Sequence, residues 1–485
     1  MAEENKCLRA GRRRRFFRKA GLISILAVCC FVASCTTKAT QRRKTMGGAF
    51  EEGNHIAMIE QIRKNGKSLY GETNAFLYHM DIGVLYHYAG QYDSSNTHLI
   101  KAADIYDELF AKSVTNEAAA LLTNDNVRPY RSKPYELVML HQITALNFMA
   151  EGKFQEALVE SRKVQLLMNE WERTVAKNGK YHTDGMFHLL SSLAYERVNE
   201  PDNSLISLFK SVQAYNSGPV KLPREVEGFA YDRLKAGDRE DDITTLKISP
   251  YENPNKWSAK QGEPEIVIVS YTGRGPAMRE QNWYGEYTQS GRLKLYVRGT
   301  RLAIEMPAPP LPSGSKHNSG SQRVNIKVSL PELQTFPAAA SYFTARVDDD
   351  AEVRSVAIND FDKQAKKALD DAWGDIVTRT VIRMVTRTLA ANEAKNRVNT
   401  GSPLADVLLK VGTDVATDQM EKADIRMCFL LPKTLQVARI PVDPGTHSVT
   451  LAVRDEYGNV VGRRAYNDIN VKNGEKKVLF HNALK

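Results

Sequence analysis

Between about residues 56 and 218 apolar positions recur at the 3.6-residue period of helices buried along one face, and from about residue 264 they alternate with the period of two that belongs to strands. The helical part repeats itself. Gly83, Tyr86, Gly90, Tyr92, Ser95, Leu99 and Ala102 keep the same offsets as Ala145, Phe148, Gly152, Phe154, Ala157, Ser161 and Val164. Each set supplies a small residue where two helices cross, an aromatic residue, a turn glycine, and then small or apolar residues on the second helix. A weaker third copy runs through Ala194, Tyr195, Asn199, Leu205, Phe209 and Val212, with a turn that reads as one residue longer. The two turn glycines stand 62 residues apart, whereas tandem helical hairpins of this kind repeat at about 34, so an insertion is expected between Lys112 and Pro134. Hairpins of this size cannot bury their apolar faces alone; they stack and leave a concave groove. That groove either receives an extended peptide or helix of a partner, or braces the rest of the molecule.

Glu265 to Tyr271, Arg292 to Val297, Arg301 to Ile304 and Arg323 to Val328 read as strands by alternation and β-branched content, with a flexible Pro-rich loop from Pro307 to Ser321. Residues 360 to 398 return to helix. Trp373, Ile376, Val377, Val381, Met384, Val385 and Leu389 form its apolar stripe. Arg379, Arg383 and Arg387 form a basic stripe, read as a solvated face able to meet anionic headgroups or glycan-linked polymers. A second helix is expected near 404 to 421, and strands from 427 to 482 suggest a small antiparallel sandwich. The expected fold class is a multidomain α+β chain: a leader at 1–34, a polar tether at 35–55, helical repeats at 56–235, a central β domain with long helices at 260–425, and a β module at 426–485.

The first residues are an address. A basic stretch ending at Lys19 precedes an apolar run from Gly21 to Ser34 and then Cys35. About 14 apolar residues suit a cleaved secretory leader, whereas a spanning helix needs about 20. Val32-Ala33-Ser34-Cys35 resembles the lipobox of bacterial lipoproteins, which implies acylation of Cys35. Two or three acyl chains at about 0.8 kcal/mol per buried methylene give stable anchoring. Thr36 and Thr37 stand where many inner-membrane lipoproteins carry Asp, so the resemblance implies the outer membrane, facing the periplasm. Arg13 to Arg18 also resembles a twin-arginine export signal, with Arg12 in place of the usual Ser or Thr.

Charge and cysteines fit that address. The net charge of +10 over 485 residues includes +6 before residue 35 and leaves +4 on the remainder, which gives no ground for a nucleic-acid partner. With the leader removed and Cys35 acylated, Cys428 is left alone in an apolar run, and a buried thiol is expected. No GxSxG, HExxH or CxxC motif occurs. Ser207 to Lys210 and Ser313 to Lys316 match SxxK without its SDN and KTG partners. His79 and His87 are too far apart on one helix to chelate, His182 and His188 flank a loop, and Asp348 to Asp350 read as a solvated turn. No catalytic residue, metal site or cofactor is therefore expected. Asp424 and Arg426 read as a structural ion pair.

The helical signature resembles the tetratricopeptide (TPR) repeat. Together with the lipobox, Glu265 to Pro276, and Ala423-Asp424-Ile425-Arg426 followed by Leu431-Pro432, Val437 to Arg439 and Pro444-Gly445, it resembles an uncharacterised family of bacterial TPR-containing outer-membrane lipoproteins. The resemblance implies a lipid-anchored scaffold or adaptor in envelope or peptidoglycan assembly, bound to an envelope protein. Tyr78, Tyr86, Tyr92, His141 and Phe148 are the candidate contact residues. Two alternatives stand beside it: an envelope enzyme acting on glycan or peptide at the central domain, and a structural part of an export apparatus.

Overall fold

The computed structural model describes residues 38–113, 126, 128–175, 184–253, 257, 260, 262–288, 292–307, 323–397 and 422–484. The leader, Cys35, most of the Pro-rich loop, His182 and the helix expected at 404–421 lie outside the described residues, as does the side chain of Arg387.

The segment read as a tether is helical. α1 (Lys38–Glu51) buries Ala39, Arg42, Met46 and Phe50 along one stripe. An arginine on the buried face, and the polar residues around it, hide the period from a reading of hydropathy. α2 (His55–Leu69) follows, capped at Asn54, whose side chain accepts from the Ala57 amide at 3.2 Å.

Consecutive helices then pair: α3 (Ala75–Tyr88) with α4 (Tyr92–Ser113), α5 (Pro134–Ala150) with α6 (Phe154–Val175), and α7 (Gly185–Arg197) with α8 (Pro201–Ser217). Gly90, Gly152 and Asn199 occupy the left-handed region at φ 72°, 75° and 61°. In each turn the next amide closes onto the carbonyl five residues back: Gln91 to Tyr86, Lys153 to Phe148 and Glu200 to Tyr195. The third turn is therefore the same length as the others. Asn199 replaces glycine, and the residues facing the crossing are Ser192, Ser204, Leu208 and Ser211, all buried, one position before the expected Leu205, Phe209 and Val212. α9 (Arg224–Ala236) and α10 (Glu240–Leu246) complete the helical part.

The strands form three four-stranded sheets. One has the order β12 (Lys476–Ala483), β1 (Glu265–Arg274), β9 (Pro432–Pro441), β8 (Val356–Asp360), with β12 parallel to β1 and the other pairs antiparallel. A second, antiparallel, has the order β11 (Val460–Val471), β10 (Gly445–Arg454), β6 (Tyr342–Val347), β7 (Val353–Arg354). The third has the order β4 (Ala303–Pro307), β3 (Arg292–Tyr296), β2 (Ala277–Thr288), β5 (Arg323–Gln334), and α11 (Phe361–Arg397) covers it through Val377, Val381, Met384 and Val385.

β1 shows how the layers join. Val267, Val269 and Tyr271 belong to the core shared with the helices, while Ile266 and Ile268 belong to the core shared with the β6 and β10 sheet. Both faces of β1 are buried, which is why Glu265 to Tyr271 is almost unbroken in apolar residues. The expected antiparallel sandwich of the tail alone is replaced by two sheets sharing a core, one of them with a parallel pair, in which strands from 432 to 483 interleave with those from 265 to 274 and 342 to 360. Arg383, expected on a solvated stripe, is buried, at 2% exposure.

Candidate functional site

Residues 423 to 431 have neither helix nor strand, yet all but Asp424 are buried. A buried backbone without a ladder must satisfy its N–H and C=O groups elsewhere. Side chains of the helical part supply most of what is needed. Asn126 donates to the carbonyls of Lys422 and Ala423 at 3.2 Å each. Lys133 donates to the Arg426 carbonyl at 2.8 Å, Arg42 to the Met427 carbonyl at 2.8 Å and Tyr88 to the Leu430 carbonyl at 2.9 Å. Glu136 accepts from the Cys428 amide at 2.8 Å. From the strands, Glu280 accepts from the Ala423 amide at 2.9 Å, and the Gly275 amide donates to the Leu431 carbonyl at 2.9 Å.

The charges beneath this strap balance one another: Arg42, Lys133 and Arg426 against Asp81, Glu136 and Asp424. Arg426 and Asp424 form the expected pair, bidentate at 2.8 and 2.7 Å, and Arg426 also donates to Asn74 at 3.2 Å and to the Arg128 carbonyl at 2.8 Å. Burial opposes ionisation of Asp424, but the Arg426 bonds outweigh it and hold the carboxyl below its ordinary value. Burial pushes Asp81 upward despite Arg42, whose Nε lies 3.7 Å away, and Tyr70, which donates at 2.7 Å. The Cys428 thiol is also pushed well up, by burial first and then by the Asp81 and Glu136 charges, which opposes the thiolate a nucleophile requires. The geometry holds an irregular chain, with a turn at 429–430, by its main-chain groups.

A second polar knot joins helices to sheet. Glu265 accepts from Arg439 at 2.9 and 3.0 Å and from Lys476, and these cations overcome burial to bring its carboxyl down to about 2. Glu196 lies 3.5 Å from Lys476 and 3.9 Å from Arg439, whose guanidinium rests 4.3 Å over Phe229.

The candidate contact residues do not line one free surface. Tyr86 and His141 are buried, and His141 bonds Glu160 at 2.7 Å. Tyr78, Tyr92 and Phe148 are half-buried: Tyr78 meets Tyr70 edge-on at 5.5 Å, Tyr92 lies between His87 and Phe480, and Phe148 borders the core. The functional side chains that sequence reasoning missed are Arg42, Asn126, Lys133 and Glu136. One signal was present: Asp81 and Glu136 each interrupt an apolar helical run, and a buried carboxylate demands donors.

Comparison with protein-family models and with curated proteins gives no match.

Proposed function

We propose that the protein is a lipid-anchored scaffold or adaptor of the bacterial cell envelope, held at the outer membrane by acylated Cys35, facing the periplasm, with TPR-like hairpins as its binding framework. The observation that carries this reading is the grip on residues 422 to 431, where side chains of the helical part bind successive main-chain groups of a segment without a ladder. This is how a helical repeat holds an extended chain whatever its sequence. The matching left-handed turns at Gly90, Gly152 and Asn199 support the TPR-like assignment.

The chain's own segment fills that groove, so we assign partner contact to apolar side chains left exposed on the outer helices: Ile100 on α4, Val159 and Leu166 on α6, and Ile206 on α8. Leu166 is 67% exposed. The experiment is photo-crosslinking in cells from Leu166, with Phe148 as the comparison position. One envelope protein captured reproducibly from Leu166, and lost in the Cys35→Ser variant, is the expected outcome. Capture from Phe148 alone would return the contact to the groove. Mass spectrometry showing residue 35 unlipidated, with the leader attached, would overturn the anchor.

A further inference from the structure

We propose that His79 and His98 form a two-imidazole site for a borderline divalent transition-metal ion of the Zn2+ type, bridging the two helices of the first hairpin. His79 comes from α3 and His98 from α4, and their Nδ1 atoms lie 3.1 Å apart. A metal about 2.05 Å from both nitrogens would subtend about 98°, and opening to a tetrahedral angle of about 109° requires the nitrogens to separate by only about 0.2 Å more. The rings are held in place. Tyr78 meets the His79 ring edge-on at 5.1 Å, and Tyr86 lies 5.8 Å from the His98 ring.

Burial, with Lys101 beside it, lowers His79; burial, with His79 and Arg63 beside it, lowers His98 to about 4. Lys101 and Arg63 are the cations facing the pair, and they weaken any metal there, although Arg63 is also engaged over the Tyr86 ring at 5.6 Å. Among the described residues no third histidine, cysteine or carboxylate completes a cluster. Water fills the remaining positions, so the site is open and exchangeable and differs from a closed structural centre. Without metal, the same pair is a hydrogen-bonded staple between two helices.

The test is equilibrium dialysis of the detergent-solubilised full chain against ZnCl2 at pH 7.5 in a non-chelating buffer. One saturable equivalent of micromolar affinity is expected. His79→Gln and His98→Gln should each weaken it by about tenfold or more, because the second imidazole acts at a high effective concentration. X-ray absorption on the unaltered chain loaded with one equivalent of zinc should show two imidazole shells, a readout independent of whether the variants fold. No saturable binding, binding unchanged in the double variant, or fewer than two imidazoles would overturn the site.

Discussion

Glu136 faces inward because donors meet its carboxylate there, among them the Tyr130 hydroxyl at 2.5 Å, the Lys133 amide at 3.0 Å and the Cys428 amide at 2.8 Å. Glu136→Leu keeps the volume but strands those donors, each at a cost of about 1–3 kcal/mol. A urea midpoint markedly below that of the parent is expected, and an unchanged midpoint would show that the strap does not depend on this acceptor. His87 makes the pH prediction. It is fully enclosed between Asn147 at 2.5 Å and the Tyr271 hydroxyl at 2.8 Å, and burial lowers it to about 4. As pH falls below about 6.5 the unfolded chain binds the proton first, so the stabilisation held above that value is lost at about 1.4 kcal/mol per pH unit until about pH 4. Urea titrations at pH 7, 6 and 5 should show a decline to which His98, His188 and His481, lowered by burial in the same way, add their own shares, and His87→Asn should make it shallower by the share of one group.

At the scale of elements, left-handed backbone accounts for Gly90 and Gly152, and close approach accounts for Gly83. A Cβ at Gly83 would stand 2.6 Å from Leu99 Cδ2, where α3 crosses α4. Gly83→Ala is expected to cost about 1–3 kcal/mol as overpacking. In the Leu99→Ala background the same change should cost much less, and a double-mutant cycle on unfolding free energies reads the coupling. The first two hairpins were legible because glycine marks their turns. The third was misread by one residue because Asn199 reaches the same left-handed conformation with a side chain that conceals it. α1 was missed for a different reason: the residue at the centre of its buried stripe is Arg42, whose charge is matched by Asp81 far along the chain.

At the scale of the whole molecule, the largest core runs from Ala39 in α1 to Leu484 after β12 and includes helices, strap and the sheet that holds β1. Helical and sheet parts should therefore unfold together, with far-ultraviolet circular dichroism and tryptophan fluorescence giving coincident urea transitions. Glu265→Leu removes the close carboxylate partner of Arg439 and Lys476 and should cost about 3–5 kcal/mol, because their charges stay buried. Two separated transitions in the parent would contradict the shared core.

The first two hairpin turns, the strands β1, β3, β4 and β5, the Asp424–Arg426 pair and the burial of Cys428 follow from local chemistry: period, turn residues, charge spacing and apolar context are all written within a few neighbouring positions. Other features depended on partners far apart in the chain. Lys476 reaches Glu265, Arg42 reaches Met427, and Cys428 reaches Glu136, across separations of 211, 385 and 292 residues. Hydrogen bonds and ion pairs act over a few ångströms, and only the folded chain brings such groups that close, so the grip on residues 422 to 431 and the interleaving of the sheets were decided by tertiary structure.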